Sequence, residues 1–457
     1  MTTSVAWLRR DLRLADNPAL LTAGQESPDE TVCVAVVLDS TLLSGSERRA
    51  ARYLASLAAL DAELGGGLTV LEGPPETALL RLSAELGARS VHIARETTPY
   101  GRSRDERVGA ALAEAGVTLR ATGTPYAIGP GSVLTGGGTA YQVFTPFSRA
   151  WRDHGWPRPA PRPTARFIKA DSSLDLPEAR STQGPGELES GERAAYRRWS
   201  RFLDEDLVGY AADRDRPDLD MTSRLSIPLK YGEIHPRTLL ADLVDRDLWG
   251  SADAGKFVTE LCWREFYADV LWHRPDSAWA DWSDSLARMS YADPRAPEVA
   301  EDVEAWRAGR TGFPIVDAGM RQLAREGWMH NRVRMITASF LVKDLHVWWP
   351  VGARHFLEHL LDGDIASNNH GWQWVAGTGT DASPYFRVFN PVSQGLRFDP
   401  GGEYVRRWVP ELAHLSGKAA HEPWKASDGY AHGYPERILD HVEARGEALA
   451  RYQAARD

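Results

Sequence analysis

The chain has 457 residues, of which 43% are hydrophobic, so it can bury a sizeable core and form more than one domain. Its two cysteines, Cys33 and Cys262, exclude a disulfide framework and a cysteine-rich metal site, and we predict no metal site. The net charge of −10 argues against nonspecific nucleic-acid binding over the whole surface. We expect a cytoplasmic protein, because no apolar run long enough for a membrane helix and no signal-peptide pattern is present.

Residues 1–128 alternate short apolar strands with amphipathic helices. The predicted strands are 4–8, 31–39, 68–73, 89–96 and 117–123, and the predicted helices are 46–64, 75–87 and 103–116. This alternation predicts a Rossmann-like α/β domain with a parallel sheet and helices on both faces. No GxGxxG pattern follows the first strand, so the dinucleotide-binding fingerprint is absent.

Residues 129–195 are rich in Gly, Pro and Ser and are predicted to be an interdomain linker without long helices. Helical patterns dominate residues 196–457, which predicts an all-α C-terminal domain. Sixteen of the 17 tryptophans follow residue 150. They indicate either a Trp-rich helical core or a region that binds an aromatic cofactor and nucleobases.

Six motifs in order resemble the photolyase/cryptochrome family. They are WLRRDLRLADNPAL at 7–20, TSRLSIPLKYGEIHPR at 222–237, WREFY at 263–267, RTGFPIVDAGMRQL at 310–323, GWMHNRVRMITASFL at 327–341 and DGDIASNNHGWQWVAGTGTD at 362–381. The resemblance is to class I photolyases of cyclobutane pyrimidine dimers. It implies a monomeric enzyme that repairs damaged DNA by light-driven electron transfer from reduced FAD to a flipped-out dimer.

The resemblance implies that the helical domain binds FAD. Asn368 matches the residue facing flavin N5, where an amide oxygen can accept the N5–H bond. Arg334 matches an arginine that pairs with Asp362, the first of two acids near the FAD ribose and ring system. The implied FAD-binding residues are Tyr210, Thr222, Ser223, Arg224, Leu225, Ser226, Arg334, Asp362, Asp364 and Asn368.

The resemblance also implies a substrate pocket. Trp263 and Trp374 offer flat apolar walls, and a partly desolvated Glu260 can be protonated and donate to a thymine carbonyl. Asn331 hydrogen-bonds the base edge and Met335 makes an adaptable apolar contact. Outside the pocket, the arginines expected to contact the DNA backbone are Arg214, Arg332 and Arg387.

Electron supply in the family runs along tryptophans, matched here by Trp372 and Trp349. Ala296 stands where a third, surface tryptophan is expected, so Tyr291, Trp279 or Trp282 are candidate substitutes.

An antenna chromophore is expected in the α/β domain. The sequence resembles the 8-hydroxy-5-deazaflavin type more than the methenyltetrahydrofolate type. The residues implied for its site are Arg49, Tyr100, Gly101, Arg102 and Lys230, with Arg52 as an alternative to Arg49.

Three alternative functions remain open from the sequence. A cryptochrome-type photoreceptor would share the fold and FAD but not the repair activity, and no regulatory tail is evident after the helical core. A 6-4 photoproduct photolyase would carry a pair of histidines in this pocket and a different motif at 327–335, where Asn331 and Met335 favour cyclobutane dimers. A dehydrogenase-type flavoprotein would need a glycine-rich fingerprint.

Overall fold

The computed structural model describes residues 3–178, 189–381 and 387–456. These residues form two compact units. The first unit contains residues 3–178, 189–208 and 223–275, and the second contains residues 209–222, 276–381 and 387–456. Residues 179–188 of the predicted linker lie outside the described part of the chain.

The first unit combines a sheet with helices. Its strands are β1 (Ser4–Trp7), β2 (Thr31–Leu38), β3 (Thr69–Glu72), β4 (Ser90–Ile93), β5 (Thr118–Ala121) and β6 (Arg166–Ile168). The helices as far as His273 are α1 (Pro18–Glu26), α2 (Ser40–Leu43), α3 (Glu47–Glu63), α4 (Pro75–Leu86), α5 (Pro99–Glu114), α6 (Phe144–His154), α7 (Glu192–Arg201), α8 (Tyr210–Asp213), α9 (Ser226–Tyr231), α10 (Pro236–Asp245) and α11 (Ala252–His273). Of these, α8 belongs to the second unit.

The sheet is parallel, with the strand order β3-β2-β1-β4-β5. The first half of β2 also pairs in parallel with β6. Strands β1 and β2 are almost wholly buried, as expected for a parallel sheet whose two faces are both covered by helices. The predicted parallel α/β domain is therefore confirmed.

Two elements of the predicted linker take part in this unit. Helix α6 buries Phe144, Phe147 and Trp151 on one side, and β6 extends the sheet. Apolar residues at helical spacing thus form a short helix within a segment predicted to contain no long helices.

Helix α11 is tied to the segment that leaves β5. The buried carboxylate of Glu265 accepts hydrogen bonds from the backbone N–H groups of Ala127, Ile128 and Gly129, at 3.1, 3.0 and 2.7 Å. Asp269 accepts a further bond from the N–H of Gly131 at 2.7 Å. The first unit consequently extends to residue 275, whereas the sequence predicted that the helical domain begins at 196.

The second unit is helical. Besides α8 it contains α12 (Pro297–Arg307), α13 (Pro314–Glu326), α14 (Asn331–Ser339), α15 (Trp349–His359), α16 (Ile365–Ala376), α17 (Pro391–Phe398), α18 (Glu403–Trp408), α19 (Lys418–His421) and α20 (His441–Arg456). A π-helical turn, Phe340–Asp344, continues α14. Among the described residues, no helix is long and apolar enough to cross a membrane.

Helices α15 and α16 pack at very close range. A Cβ atom at Gly352 would lie 2.2 Å from Cη2 of Trp372, so only glycine fits at this point of α15. The contact fixes the position of the buried Trp372 ring within the core of the second unit.

His370 on α16 is buried and satisfied as a neutral ring. Its Nδ1–H donates to the carbonyl oxygen of Ala366 at 2.8 Å, and its Nε2 accepts from the Ser277 hydroxyl at 2.9 Å. Burial lowers the pKa of His370 from 6.5 to about 4. Between these two values the unfolded chain binds a proton that the folded chain does not, so acid favours unfolding.

We predict that the free energy of unfolding falls as the pH is lowered from 6.5 toward 4, with His370 contributing up to about 1.4 kcal/mol per pH unit. His370→Gln should reduce this slope in urea unfolding measured across the range. The control is His154→Gln, because His154 is exposed. Equal slopes for His370→Gln and the wild type would contradict the assignment.

Candidate functional site

The stretch Thr222–Ser226 precedes α9. Leu225 occupies the N-cap position without a side-chain cap, and the Ser223 hydroxyl accepts from the Leu225 N–H at 3.4 Å. Thr222 Oγ1 is buried and has no hydrogen-bond partner among the described residues. The boundary between the two units falls between Thr222 and Ser223. Arg224 has a backbone φ of 50°, which residues other than glycine rarely adopt. This value marks a constrained turn.

Arg334 and Asp362 form an ion pair in the second unit. Nη2 of Arg334 donates to Oδ2 of Asp362 at 2.8 Å, and its Nε donates to the carbonyl oxygen of Met329 at 2.8 Å. Oδ1 of Asp362 is buried with no hydrogen-bond partner in the described part of the chain. A buried polar atom without a protein partner fits a position that a ligand completes.

Two further predicted flavin residues lie at the start of α16. Asp364 caps the helix, because its Oδ1 accepts from the N–H groups of Ala366 and Ser367, both at 3.1 Å. The amide nitrogen of Asn368 donates to the carbonyl oxygen of Ala353 at 3.1 Å, which fixes the orientation of the amide. Since the nitrogen is engaged, Oδ1 of Asn368 is the atom that can accept a bond from a ligand.

Tyr210, the remaining member of the predicted flavin set, is buried at the start of α8 in the second unit. The structure thus gives the second unit Tyr210, Thr222, Arg334, Asp362, Asp364 and Asn368, and gives the first unit Ser223, Arg224, Leu225 and Ser226.

The predicted substrate residues are likewise divided between the units. Asn331 is exposed at the start of α14, while Met335 and Trp374 are half-buried and pack on the core of the second unit. Glu260 and Trp263 lie on α11 of the first unit, one turn apart.

Two aromatic neighbours fix the orientation of the Trp263 ring. Its ring stacks on Phe144 of α6 with a centroid distance of 3.6 Å and an interplanar angle of 7°. Phe266 packs edge-on at 5.8 Å. The sequence did not indicate Phe144, which lies in the predicted linker.

Glu260 is half-buried and has a cationic neighbour. Its carboxylate is 29% exposed and lies 3.4 Å from the ammonium of Lys256, four residues earlier on the same helix. Glu260 is therefore partly buried, and its role as a proton donor stays a prediction. The i,i+4 spacing that produces this pair could have been recognised from the sequence.

Two arginines expected to meet DNA phosphates share one internal carboxylate. Arg332 donates to Asp215 at 2.7 Å, and its guanidinium lies 4.5 Å from the Phe398 ring centroid. Nε of Arg214 lies 3.7 Å from the same carboxylate. Arg387 differs from both, because its side chain is exposed, while its carbonyl oxygen accepts from Lys343 at 2.6 Å.

The buried Trp372 contacts other aromatic rings. Its ring packs edge-on against Phe356 at 4.9 Å and Trp306 at 6.2 Å. Trp349 is also buried, and its Nε1–H donates to Asp281 at 2.6 Å.

Trp348 is a residue that the sequence reasoning missed. It is 38% exposed, its ring centroid lies 6.3 Å from that of Trp349, and its Nε1–H donates to Asp281 at 3.3 Å. Its adjacency to Trp349 in the sequence was the available signal.

Trp279, Trp282 and Tyr291, the predicted substitutes for the missing surface tryptophan, each contact different groups. Trp279 lies 4.2 Å from the Arg354 guanidinium, and the backbone N–H of Trp282 donates to Gln373. Burial raises the pKa of the Tyr291 hydroxyl. Ala296 is the N-cap residue of α12.

The predicted antenna residues lie in the first unit but have different partners. The Tyr100 hydroxyl donates to Asp39 at 2.5 Å, and Arg102 stacks on Trp272 at 4.0 Å. A Cβ at Gly101 would lie 2.5 Å from the Glu96 carboxylate. Nη2 of Arg49 donates to the carbonyl oxygen of Gly45 at 3.3 Å.

Glu96 is the centre of a positive cluster. Burial raises the pKa of Glu96, but nearby positive charges outweigh this and lower it; in decreasing order they are Arg10, Arg104, Arg9 and Lys230. Of these residues only Lys230 was predicted. Arg52, the alternative to Arg49, instead forms a buried bidentate pair with Glu233. Its Nη1 and Nη2 atoms donate to the two carboxylate oxygens at 2.8 and 2.7 Å.

Two protein-family models match this chain. The family model described as "FAD binding domain of DNA photolyase" matches residues 257–454, and the one described as "DNA photolyase" matches residues 4–164. A deoxyribodipyrimidine photo-lyase of Streptomyces griseus is 42% identical over 100% of this chain and 99% of its own length. This chain belongs to the DNA photolyase family.

Two solved photolyase structures share the fold. A class III photolyase from Agrobacterium tumefaciens has a TM-score of 0.89 and 36% identity, covering 100% of this chain and 98% of its own. An archaeal photolyase from Sulfolobus tokodaii, described with two FAD molecules, has a TM-score of 0.86 and 30% identity, covering 99% and 100%. The predicted family and the FAD-binding domain are confirmed, whereas the class I assignment stays a prediction.

We predict that Asp362→Asn lowers FAD affinity about 10-fold or more, because it removes a charged acceptor and leaves Arg334 without its counter-charge. The measurement is the FAD content per chain after dialysis. The matched control is Asp293→Asn, which breaks an exposed pair with Arg295. Full FAD retention in Asp362→Asn would contradict this role.

Proposed function

We propose that this chain is a light-driven DNA repair enzyme that splits cyclobutane pyrimidine dimers. The observation that carries the proposal is the end-to-end similarity to a relative named deoxyribodipyrimidine photo-lyase. The buried atoms Thr222 Oγ1 and Asp362 Oδ1 support it, since neither has a hydrogen-bond partner among the residues that the structure describes, at positions where the family binds FAD.

FAD, when bound and reduced, supplies the excited electron donor for this reaction. The protein positions and shields it. Arg334 and Asp362 form a preorganised charged pair, and Asp364 fixes the first turn of α16. Asn368 offers its carbonyl oxygen as a neutral acceptor, so no negative charge from this side chain opposes an electron-rich ring.

The substrate enters as an extruded dimer, because the reacting bonds are inaccessible within stacked DNA. Trp263 and Trp374 supply apolar contact area, and the stack on Phe144 holds Trp263 in one orientation. Asn331 hydrogen-bonds a base edge and Met335 adapts to its shape. Binding of the dimer excludes water from Glu260, which then donates to a thymine carbonyl.

Repair of defined oligonucleotides tests the function. The purified, reduced holoenzyme is mixed with DNA that contains a cyclobutane dimer, a 6-4 photoproduct or no lesion, and is exposed to blue light or kept dark. We expect restoration of the cyclobutane substrate only, and only in the light. Binding without repair would favour a cryptochrome-type receptor, and repair of the 6-4 photoproduct would favour the other photolyase class.

We predict that Glu260→Gln lowers the repair yield per absorbed photon about 10-fold while FAD content stays unchanged, because the amide is a weaker proton donor. The yield is measured with prereduced enzyme and saturating dimer. Glu205→Gln is the control, since Glu205 is also in an i,i+4 pair, with Arg201. An unchanged yield in Glu260→Gln would refute the donor role.

We further propose that Trp348 is the surface end of the route that reduces oxidised FAD, with Trp349 and Trp372 as buried members. Ala296 has no indole ring, whereas Trp348 has one and is exposed beside Trp349. The arginine stack on Trp279 makes that residue a less favourable site for a positive radical.

Trp348→Phe should slow photoreduction of oxidised FAD at least about 10-fold, because phenylalanine is far harder to oxidise. Repair by prereduced enzyme should stay near normal. The matched control is Trp249→Phe, because Trp249 is equally exposed at 38%. The rate of flavin bleaching under blue light is the measurement, and equal rates in the two variants would overturn this assignment.

We propose an 8-hydroxy-5-deazaflavin antenna in the first unit. Lys230 and Arg10 lie near Glu96 and can attract an anionic chromophore, whereas Arg9 and Arg104 are already paired with Asp105. The pair between Arg102 and Trp272 leaves Lys230 as the better-supported member of the predicted set. Mass identification of chromophores extracted from the purified protein decides between this chromophore, methenyltetrahydrofolate and none.

We also propose that damaged DNA is bound by a monomer in the cytoplasm. Arg387 is the most exposed of the three predicted arginines and makes the primary phosphate contact. Arg214 and Arg332 contribute through Asp215, which holds both guanidinium groups in place.

A further inference from the structure

One turn of α15 carries three metal-binding side chains that the repair chemistry does not use. His355 and His359 are four residues apart and Glu358 lies between them, so all three share one face of the helix. One ligand atom from each lies within 4.8 Å of the others. The two imidazole rings have a centroid distance of 4.3 Å.

The histidines are held in a form that suits a metal. Nδ1–H of His359 donates to the carbonyl oxygen of His355 at 2.9 Å, so Nε2 of His359 carries the lone pair. His355, one turn earlier, is buried, so its ring has a fixed position beside that of His359.

The surroundings keep this turn rigid. His355 is buried against Trp306, with a ring centroid distance of 5.4 Å. The positive charge of Arg307 opposes a cation, but Glu304 lies 3.8 Å from that guanidinium and the Glu358 carboxylate adds a negative charge. Glu358 is exposed, so an ion can reach the site from solvent.

We propose that His355, Glu358 and His359 bind a divalent transition metal ion such as Zn²⁺. Two imidazoles and one carboxylate form a ligand set that Zn²⁺ uses in proteins, with water in the fourth position. The two cysteines predicted no metal site, whereas the pattern His-x-x-Glu-His on a helix is a metal-binding signal that the sequence contains.

The test is Zn²⁺ binding by the FAD-loaded protein after treatment with a chelator. Calorimetry should give one equivalent per chain, and His359→Ala and Glu358→Gln should each weaken binding about 10-fold or more. Saturating Zn²⁺ should raise the midpoint of thermal unfolding in the wild type and not in His359→Ala. With Cu²⁺ as a probe, electron paramagnetic resonance should show two coordinating nitrogens in the wild type and one in His359→Ala.

The matched control is His414→Ala, which removes one member of another histidine pair, His414 and His432, at 4.6 Å. This variant should bind Zn²⁺ as the wild type does. Glu358→Gln should fold normally, because Glu358 is exposed. The FAD content of each variant shows whether it has folded. Unchanged Zn²⁺ affinity in both His359→Ala and Glu358→Gln would overturn the proposal, whatever the outcome of the repair assay.

Discussion

The carboxylate of Glu265 is the interaction on which the arrangement of the first unit depends. Three consecutive backbone N–H groups of an irregular segment would be buried without partners if this side chain were absent. Burial raises the pKa of Glu265, and the N–H donors with Arg264 partly offset that effect. The hydrogen bonds of the Glu265 carboxylate fix α11 to the segment that leaves β5. They thereby also fix Glu260 and Trp263, which lie on α11.

The second unit uses the same principle around α16. Asp364 caps its first turn, His370 bonds Ser277, and Gln373 donates to the Ser277 carbonyl at 2.7 Å. Because these polar groups are satisfied within the protein, the helix cannot rotate without breaking several bonds at once. Asn368 is thereby presented in one orientation, and Gly352 keeps the neighbouring helix close enough to receive its amide hydrogen bond.

Much of the fold was predictable because local patterns determine it. The five predicted strands and three predicted helices of the α/β region are present, since periodic apolar residues report directly on burial. Helix α1 was overlooked although Asn17 followed by Pro18 is a strong start signal.

Contacts between residues distant in the sequence were not predictable. Asp215 lies 117 positions from Arg332, and Glu265 lies 136 from Gly129, so neither pairing leaves a local pattern. The extent of the first unit and the shared carboxylate of Arg214 and Arg332 both depend on such long-range contacts. The resemblance to a family supplied Arg334 with Asp362, a pairing across 28 positions that periodicity alone does not reveal.

The carboxylate shared by Arg214 and Arg332 has a consequence for the thermodynamics of binding. A phosphate that approaches either guanidinium must compete with an anion that is already part of the protein. Fewer small counterions are then exchanged with solvent than the number of arginines suggests. Attraction at long range is weakened in the same way, so recognition would depend more on the shape of the lesion than on the charge of the duplex.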